Sequence, residues 1–340
     1  MPSGIALATS LYAPEERTIP MGYWTSVTAF APALGVLVGG VVIESFSWRY
    51  LFWGQLPFVL GSLVAAFVAV PESRGDADGP FDHLGAVLLG AGFFLLTLAA
   101  NRANEWGLGS AKVVIATTLA VAIFVAVVYV ERRASHPVVP VRALAEPVVR
   151  LALLGRSLMY AVHMGSFMLL PLYLLDIGHR TPSEIALLLL PRPLAMGFAG
   201  PLASRFASRF GAAALLAFGV TTMLVGVASL ALLGRNPTAW TLMPSLVGMG
   251  LGLGLSQTMT ASEIAERTEP QDLGASSAML AIATALSGSL GSAGLLAFAT
   301  RPGTDPVRAY HDAFAACTVI CGLALVTALF HVRARRLEGV

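Results

Sequence analysis

Apolar residues in this chain fall into long runs separated by short polar segments. A helix rises about 1.5 Å per residue and the hydrocarbon core of a bilayer is about 30 Å thick, so about 20 apolar residues make one crossing. By that ruler ten runs qualify, at residues 21–43, 50–70, 83–100, 112–130, 151–176, 184–206, 211–233, 238–259, 273–299 and 312–331. The pattern predicts an all-α protein, a polytopic transmembrane helical bundle of about ten full spans. A partial first helix from Pro2 to about Ala13 precedes them, too short to cross alone and without the basic leader or cleavage site of a signal peptide.

Composition agrees with the pattern. Mean hydropathy is +0.76 and charged residues make up 12% of the chain, against about 25% in soluble domains. The basic residues set the orientation, because cytoplasmic loops collect Lys and Arg. With the Glu15–Arg17 loop inside, twelve of the 21 basic residues face the cytoplasm, Arg132, Arg133, Arg333, Arg335 and Arg336 among them. Seven face outward, from Arg49 to Arg308, and the C-terminus lies in the cytoplasm. This bias accounts for the formal net charge of +2, with no nucleic-acid patch. Lys112 is the sole lysine, an arginine-rich usage associated with GC-rich bacterial genomes, so a bacterial plasma (inner) membrane is the expected location.

Two mostly polar stretches, Pro71 to His83 and Glu131 to Pro147, divide the chain into residues 1–70, a two-helix insert with its linkers at 71–147, and a six-helix block at 148–340. Six helices are a common transporter unit, made of inverted three-helix repeats with the substrate site near the bilayer midplane.

Particular residues carry a family likeness. APALGVLVGG (Ala31 to Gly40), WRYLF (Trp48 to Phe52), FDHLGAVLL (Phe81 to Leu89), ERRASHPVVPVRAL (Glu131 to Leu144), GHRTPSEIALLLLP (Gly178 to Pro191), GPLASRFASRFG (Gly200 to Gly211) and SSAMLAIATALSGSLGSAG (Ser276 to Gly294) follow one another in order. Together they resemble the fourteen-helix drug:proton antiporter family of the major facilitator superfamily. The resemblance implies that residues 1–70 hold the end of helix four with helices five and six of the N-terminal lobe, that the insert is helices seven and eight, and that the last block is helices nine to fourteen. It also implies that three and a half helices would precede residue 1. A multidrug efflux antiporter of this kind works by alternating access, with a small-molecule substrate, protons and the bilayer as its partners and no cofactor.

The glycine-rich stretch implies a gating motif, carried by Ala31, Pro32, Gly35, Gly39 and Gly40. Plain packing explains it as well, since Ala31, Gly35 and Gly39 leave one helix face bare for a neighbouring backbone. Val36 stands where the family motif has proline. Gly248, Gly250, Gly252 and Gly254 carry the packing reading too. Gly200, Arg205, Arg209 and Gly211 match the superfamily's cytoplasmic loop motif, with Ser208 where an acid is expected; positive-inside anchoring is the alternative.

Charges inside the bilayer are costly and usually line a cavity. Arg156, Tyr160, His163 and Phe167 share one helix face, with His163 near mid-span and Arg156 about one turn from an end, where it can snorkel. The unperturbed pKa of histidine, near 6.5, suits proton exchange, and His163 is read either so or as a hydrogen-bonded packing residue. Arg192 sits between Pro191 and Pro193, which deprive the carbonyls of Leu187 and Leu189 of their usual partners and predict a kink. Arg192 is read either as cavity-facing or as one half of an interhelical salt bridge. With Met196 and Gln257 these residues make the candidate substrate cavity, and Tyr23, Trp24, Met159, Met164, Met259 and Met279 are further candidates for a polyspecific wall, with lipid contact or helix packing the leading reading for any one of them. No Asp or Glu falls at mid-bilayer depth, which leaves His163, then Glu263, as proton-coupling candidates.

Other chemistries find no foothold. No phosphate-cradling loop or HExxH helix occurs, and Cys317 and Cys321, one turn apart in an apolar span, read as packing residues. The expected function is proton-coupled export of drugs or other small hydrophobic or cationic compounds, not enzymatic catalysis. The alternatives are a non-transporting remnant or assembly partner, a facilitated carrier, and an exporter of an endogenous metabolite. Oligomeric state is not readable from the residues.

Overall fold

Nine of the ten apolar runs each lie on one helix, and the run at 184–206 is divided between two. The computed structural model describes residues 18–69, 82–107, 109–132, 146–267, 273–301 and 303–337, and the partial helix expected from Pro2 to Ala13 lies outside them. The described elements are α1 (Thr18–Ser45), α2 (Arg49–Ala69), α3 (His83–Trp106), α4 (Ala111–Glu131), α5 (Pro147–Asp176), α6 (Pro182–Leu189), α7 (Pro191–Phe210), α8 (Ala212–Leu230), α9 (Ala239–Glu266), α10 (Leu273–Ala299) and α11 (Pro306–Leu337). Among the described residues nine spans are long and apolar enough to cross a membrane, with α6 and α7 counted as one. The chain is a multi-pass, all-helical membrane protein.

The helices start and stop where their ends find partners. Asp82 and Ser110 cap α3 and α4, accepting from the Gly85 and Val113 N–H groups. Thr181 and Glu184 form a capping box at α6, satisfying two otherwise orphaned donors. The kink expected at the paired prolines is a break: α6 ends at Leu189 and α7 begins at Pro191. One detail of that expectation is corrected. The Leu187 carbonyl is not left bare, because the Leu190 N–H reaches it at 3.4 Å in a tighter, three-residue turn.

Helices α5 to α11 share the main core, in which Met159, Leu169, Tyr173, Met223, Met249 and Phe314 are buried. At its centre α9 is wedged between two neighbours through its glycines. Gly248 and Gly252 face α8, where an added Cβ would lie 2.7 Å from the Thr222 carbonyl oxygen and 2.6 Å from Met223 Cβ respectively. Gly250 and Gly254 face α7, against the backbone of Arg192 and Met196. Each pair is spaced by four residues and so lies along one stripe of the helix; two stripes let two backbones approach, with dispersion doing the work that water does in soluble cores. Cys317 and Cys321 are both free and fully buried in the same core.

The remaining helices attach at the edges. α3 and α4 pack on each other through Phe93 and Phe124, ring centroids 5.3 Å apart, and α3 touches α10. α1 lies on α6 and α7, with Phe30 edge-on to Phe198 at 6.1 Å and Gly40 against Ala186. Near that end of α1 the Glu44 carboxylate accepts from both the backbone N–H and the hydroxyl of Ser183. The apolar window of α2 has no residue buried against the other described helices.

Candidate functional site

The predicted face of α5 is one face. Tyr160, His163 and Phe167 follow each other along it, ring centroids 5.6 Å apart for the first pair and 6.3 Å for the second. α7 meets this face at Arg192, because the break before Pro191 brings the first turn of α7 against α5. The Arg192 side chain is buried, 4% exposed, and a single nitrogen carries its hydrogen bonds. Nη2 donates to the His163 carbonyl at 2.8 Å and to Ser166 Oγ at 3.3 Å, and lies 2.6 Å from His163 Nδ1.

That last contact fixes a tautomer. A guanidinium only donates, so Nδ1 of His163 is the acceptor, the imidazole is neutral, and its proton sits on Nε2. Arg192 Nε is buried with no hydrogen-bond partner. No carboxylate among the described residues lies within ion-pair distance of this guanidinium. Phe167 is 46% exposed, with the Arg192 guanidinium 5.6 Å from its ring centre. Phe167, Leu170, Pro171 and Leu189 wall a small pocket beside Arg192 and Ser166, of about 20 Å³, room for about one water.

Arg156 sits farther along α5 and does not snorkel. Its Nε donates to Thr284 Oγ1 on α10 and its Nη1 to the Gln257 carbonyl on α9, each at 3.2 Å. It therefore ties three helices together, and of Gln257 it uses the backbone. Met196 is partly buried beside Gly254. Three expected cavity residues are corrected: Met159, Met259 and Met279 are 1%, 4% and 3% exposed and belong to packed cores, because their helix faces point at neighbours. Met164 packs on Gly288. The side chains of Tyr23 and Trp24 lie outside the described residues.

Glu263 sits two residues beyond the apolar span of α9 and is the hub of a charge cluster that sequence reading missed. Arg267 Nε reaches its Oε1 at 2.7 Å, and Arg335 Nη1 and His331 Nε2 lie 3.0 and 3.6 Å from its Oε2. Arg267 also spans to Glu146 at 3.4 Å. Burial alone would push the Glu263 carboxyl up, but His331, Arg267 and Arg335 outweigh it and hold it at about 2. In this arrangement the carboxylate is ionised. The signal available in the sequence was the spacing: Glu263 with Arg267, and His331 with Arg335, are both i, i+4 pairs at helix ends.

Both quoted motifs lie on helices. On α1, no atom of the described residues lies within 4 Å of a Cβ built on Gly35 or Gly39, and Ala31 and Pro32 are exposed. The close approach is at Gly40, with Ala33 buried two turns earlier, because α6 and α7 meet α1 on that other stripe. The segment from Gly200 to Gly211 is not a loop. Residues through Phe210 continue α7, and Gly211 at φ 80° is the whole connection to α8, a backbone conformation that favours glycine. Arg205 and Arg209 are exposed on that last turn, Arg209 over the Phe210 ring at 5.4 Å.

Known proteins are similar to this chain. The family model described as Major Facilitator Superfamily matches residues 1–292 and 152–339. The "Multidrug resistance protein B homolog" of Mycobacterium tuberculosis H37Rv is 27% identical over 267 residues, 77% of this chain and 49% of that protein. The "Multidrug efflux pump LfrA" of Mycolicibacterium smegmatis is 28% identical over 298 residues, covering 87% and 58%. The "Puromycin resistance protein pur8" of Streptomyces alboniger is 29% identical over 326 residues, covering 94% and 64%. The chain spans about half the length of the curated relatives it matches.

Proposed function

Since the chain belongs to the major facilitator superfamily, we propose that it exports small hydrophobic compounds, drugs among them, in exchange for protons, a reading supported by the multidrug resistance and efflux named for its relatives. The carrier would sit in a bacterial plasma membrane with its C-terminus in the cytoplasm and would work by alternating access. Arg156, Tyr160, His163, Phe167, Arg192, Met196 and Gln257 line its cavity.

The observation that carries this reading is the contact between Arg192 Nη2 and His163 Nδ1. A proton taken up at Nδ1 removes the acceptor and sets an imidazolium against a guanidinium. Arg192 must then leave, so the protonated and neutral states favour different arrangements of α5 and α7. Such differential interaction is what a coupling ion needs in order to shift a conformational equilibrium. Glu263 is the second proton site in this proposal, and it serves only once Arg267 and Arg335 have moved off it. The stripe of α1 around Gly40, against α6, and the α7 end at Arg205 and Arg209 are the elements that would slide as the cavity changes sides.

Puromycin and tetracenomycin C, the compounds in the names of two relatives, are the first substrates to try. In proteoliposomes with a pH-sensitive dye inside, the proposal expects proton movement that depends on added substrate, and loss of that pH-driven exchange in His163→Gln. Full pH-dependent exchange by the variant would remove His163 from the coupling. A second reading, an assembly partner without transport, draws on the unburied apolar window of α2; well-folded protein with no substrate-dependent proton flux would favour it.

A further inference from the structure

We infer that the buried Arg192 guanidinium, with the small pocket between α5 and α7 beside it, is a recognition site for an acidic group, so that the substrates of this protein carry a carboxylate or sulfonate on an apolar body. The inference rests on the transporter reading above and narrows its substrate class, away from the cationic compounds that the sequence led us to expect.

Three observations meet here. First, Arg192 stays protonated in any protein environment, and it is buried within a membrane span where an uncompensated cation is costly. Its partners are neutral: a carbonyl, a hydroxyl and an unprotonated imidazole nitrogen. Among the described residues no acid lies within ion-pair distance of it. Between Pro147 and the C-terminus every Asp and Glu lies at a span end or beyond one, at residues 176, 184, 263, 266, 269, 272, 305, 312 and 338, and those with described ion pairs are bound elsewhere.

Second, the guanidinium is only partly used. Nη2 makes every described bond, and Nε, buried, makes none. Hydrogen bonds from ionised donors to anionic oxygens are among the stronger ones available to a protein, and an anion here would satisfy the remaining donors and the charge together.

Third, the space fits one end of such a ligand. The pocket is about 20 Å³, close to the size of one water, so it takes an oxygen of an acid group and no more. Phe167, half exposed beside it, offers a ring face for the apolar remainder. Pockets of this construction, apolar walls with a few placed polar groups, fix a ligand's orientation through those groups.

The test uses three probes of one shape: 1-naphthoate, neutral 1-naphthylmethanol and 1-naphthylmethylammonium. Binding to the purified full chain is measured by calorimetry at pH 7, and uptake by proteoliposomes in parallel. The expected result is naphthoate binding at least about tenfold tighter than the alcohol, the scale of one charged hydrogen bond. Arg192→Gln should erase that preference and Arg192→Lys should keep part of it. Equal binding of acid and alcohol, tighter binding of the ammonium, or a preference that survives Arg192→Gln would overturn the inference. So would chloride alone competing as well as naphthoate, since the site would then be one for inorganic anions. Should the Gln variant not fold, the wild-type preference and the Lys variant decide the matter. The two proposals fail separately. Uptake of the ammonium in preference to the acid leaves a carrier and removes the acid site, whereas acid-selective binding without uptake of any probe keeps the site and removes the carrier.

Discussion

Glu263 and Arg192 are both buried charges in the same six-helix unit, one 3% and the other 4% exposed, and they are treated oppositely. Glu263, just past the end of a span, is met by three basic side chains from two helices. Arg192, inside a span, is met by neutral acceptors alone among the described residues. A buried charge that is fully paired contributes to a fixed arrangement, because removing it strands its partners. One left without a counter-charge has interaction still to offer, and that is the property of a binding or switching residue. The difference separates a charge held by its own ion pairs from one still open to a partner, although both look alike in a count of buried ionisable groups.

The largest expected effect comes from breaking the paired side. Glu263→Ala leaves Arg335 without its described anion and Arg267 with Glu146 alone, and stranding partly buried partners in this way costs about 3 kcal/mol, the low end for a buried pair. The midpoint of thermal unfolding in detergent reads it, with intact transport chemistry not required. A loss under about 1 kcal/mol would mean that water reaches the cluster, and the comparison with Arg192 would collapse from this side.

Acid should sharpen the same contrast more gently. The Glu263 carboxyl is held at about 2 in the folded protein, below the ordinary 4.3 or so of an unfolded glutamate. A depressed folded value means stability that is complete above the unfolded value and is lost as pH falls toward the folded one. Wild-type unfolding temperature should therefore drop between about pH 4.3 and 2, and Glu263→Gln should remove that part of the drop. A Gln variant with an unchanged acid profile would assign the transition to other carboxylates.

Arg192 should respond in the other direction. Arg192→Gln removes a buried cation that lacks an acid, so stability should hold or rise, within about 1 kcal/mol, since desolvation of a poorly compensated charge offsets its hydrogen bonds. A cost as large as that of Glu263→Ala would show that Arg192 has a counter-charge after all, and with it the acid-site inference would fall.

How far the sequence announced these features depends on whether a feature is local. Span positions were legible because the length rule acts on each run alone, and the face shared by Tyr160, His163 and Phe167 followed from spacing along one helix. The break at Leu190 was legible because two prolines act on their own backbone. The pairing of Arg192 with His163 was not, since it depends on how α7 rotates against α5. The close approach at Gly40 was not legible for the same reason: a bare stripe shows that a helix can be approached closely, and says nothing about which stripe is met. The Glu263 cluster draws on α9, α11 and the start of α5, so only its two i, i+4 halves were visible, each of them ordinary at a helix end. Met159, Met259 and Met279 could not be told from cavity residues by type, because a thioether suits a core and a pocket equally.

His331 gives the smallest and most discriminating test of the paired cluster. Its Nε2 stands 3.6 Å from Glu263 Oε2, beyond hydrogen-bond length, while the two arginines stand at 2.7 and 3.0 Å. Its Nδ1 has no partner although the side chain is 2% exposed. Its contact is the longest of the three, so His331→Gln should cost no more than about 1 kcal/mol, within the range of one weak polar contact. The arginine contacts should survive, and Glu263→Ala should remain as costly in the His331→Gln background as in the wild type. Strong non-additivity in that double-mutant cycle would mean the histidine is a full member of the cluster, and the paired side of the comparison would then rest on three partners rather than on two arginines.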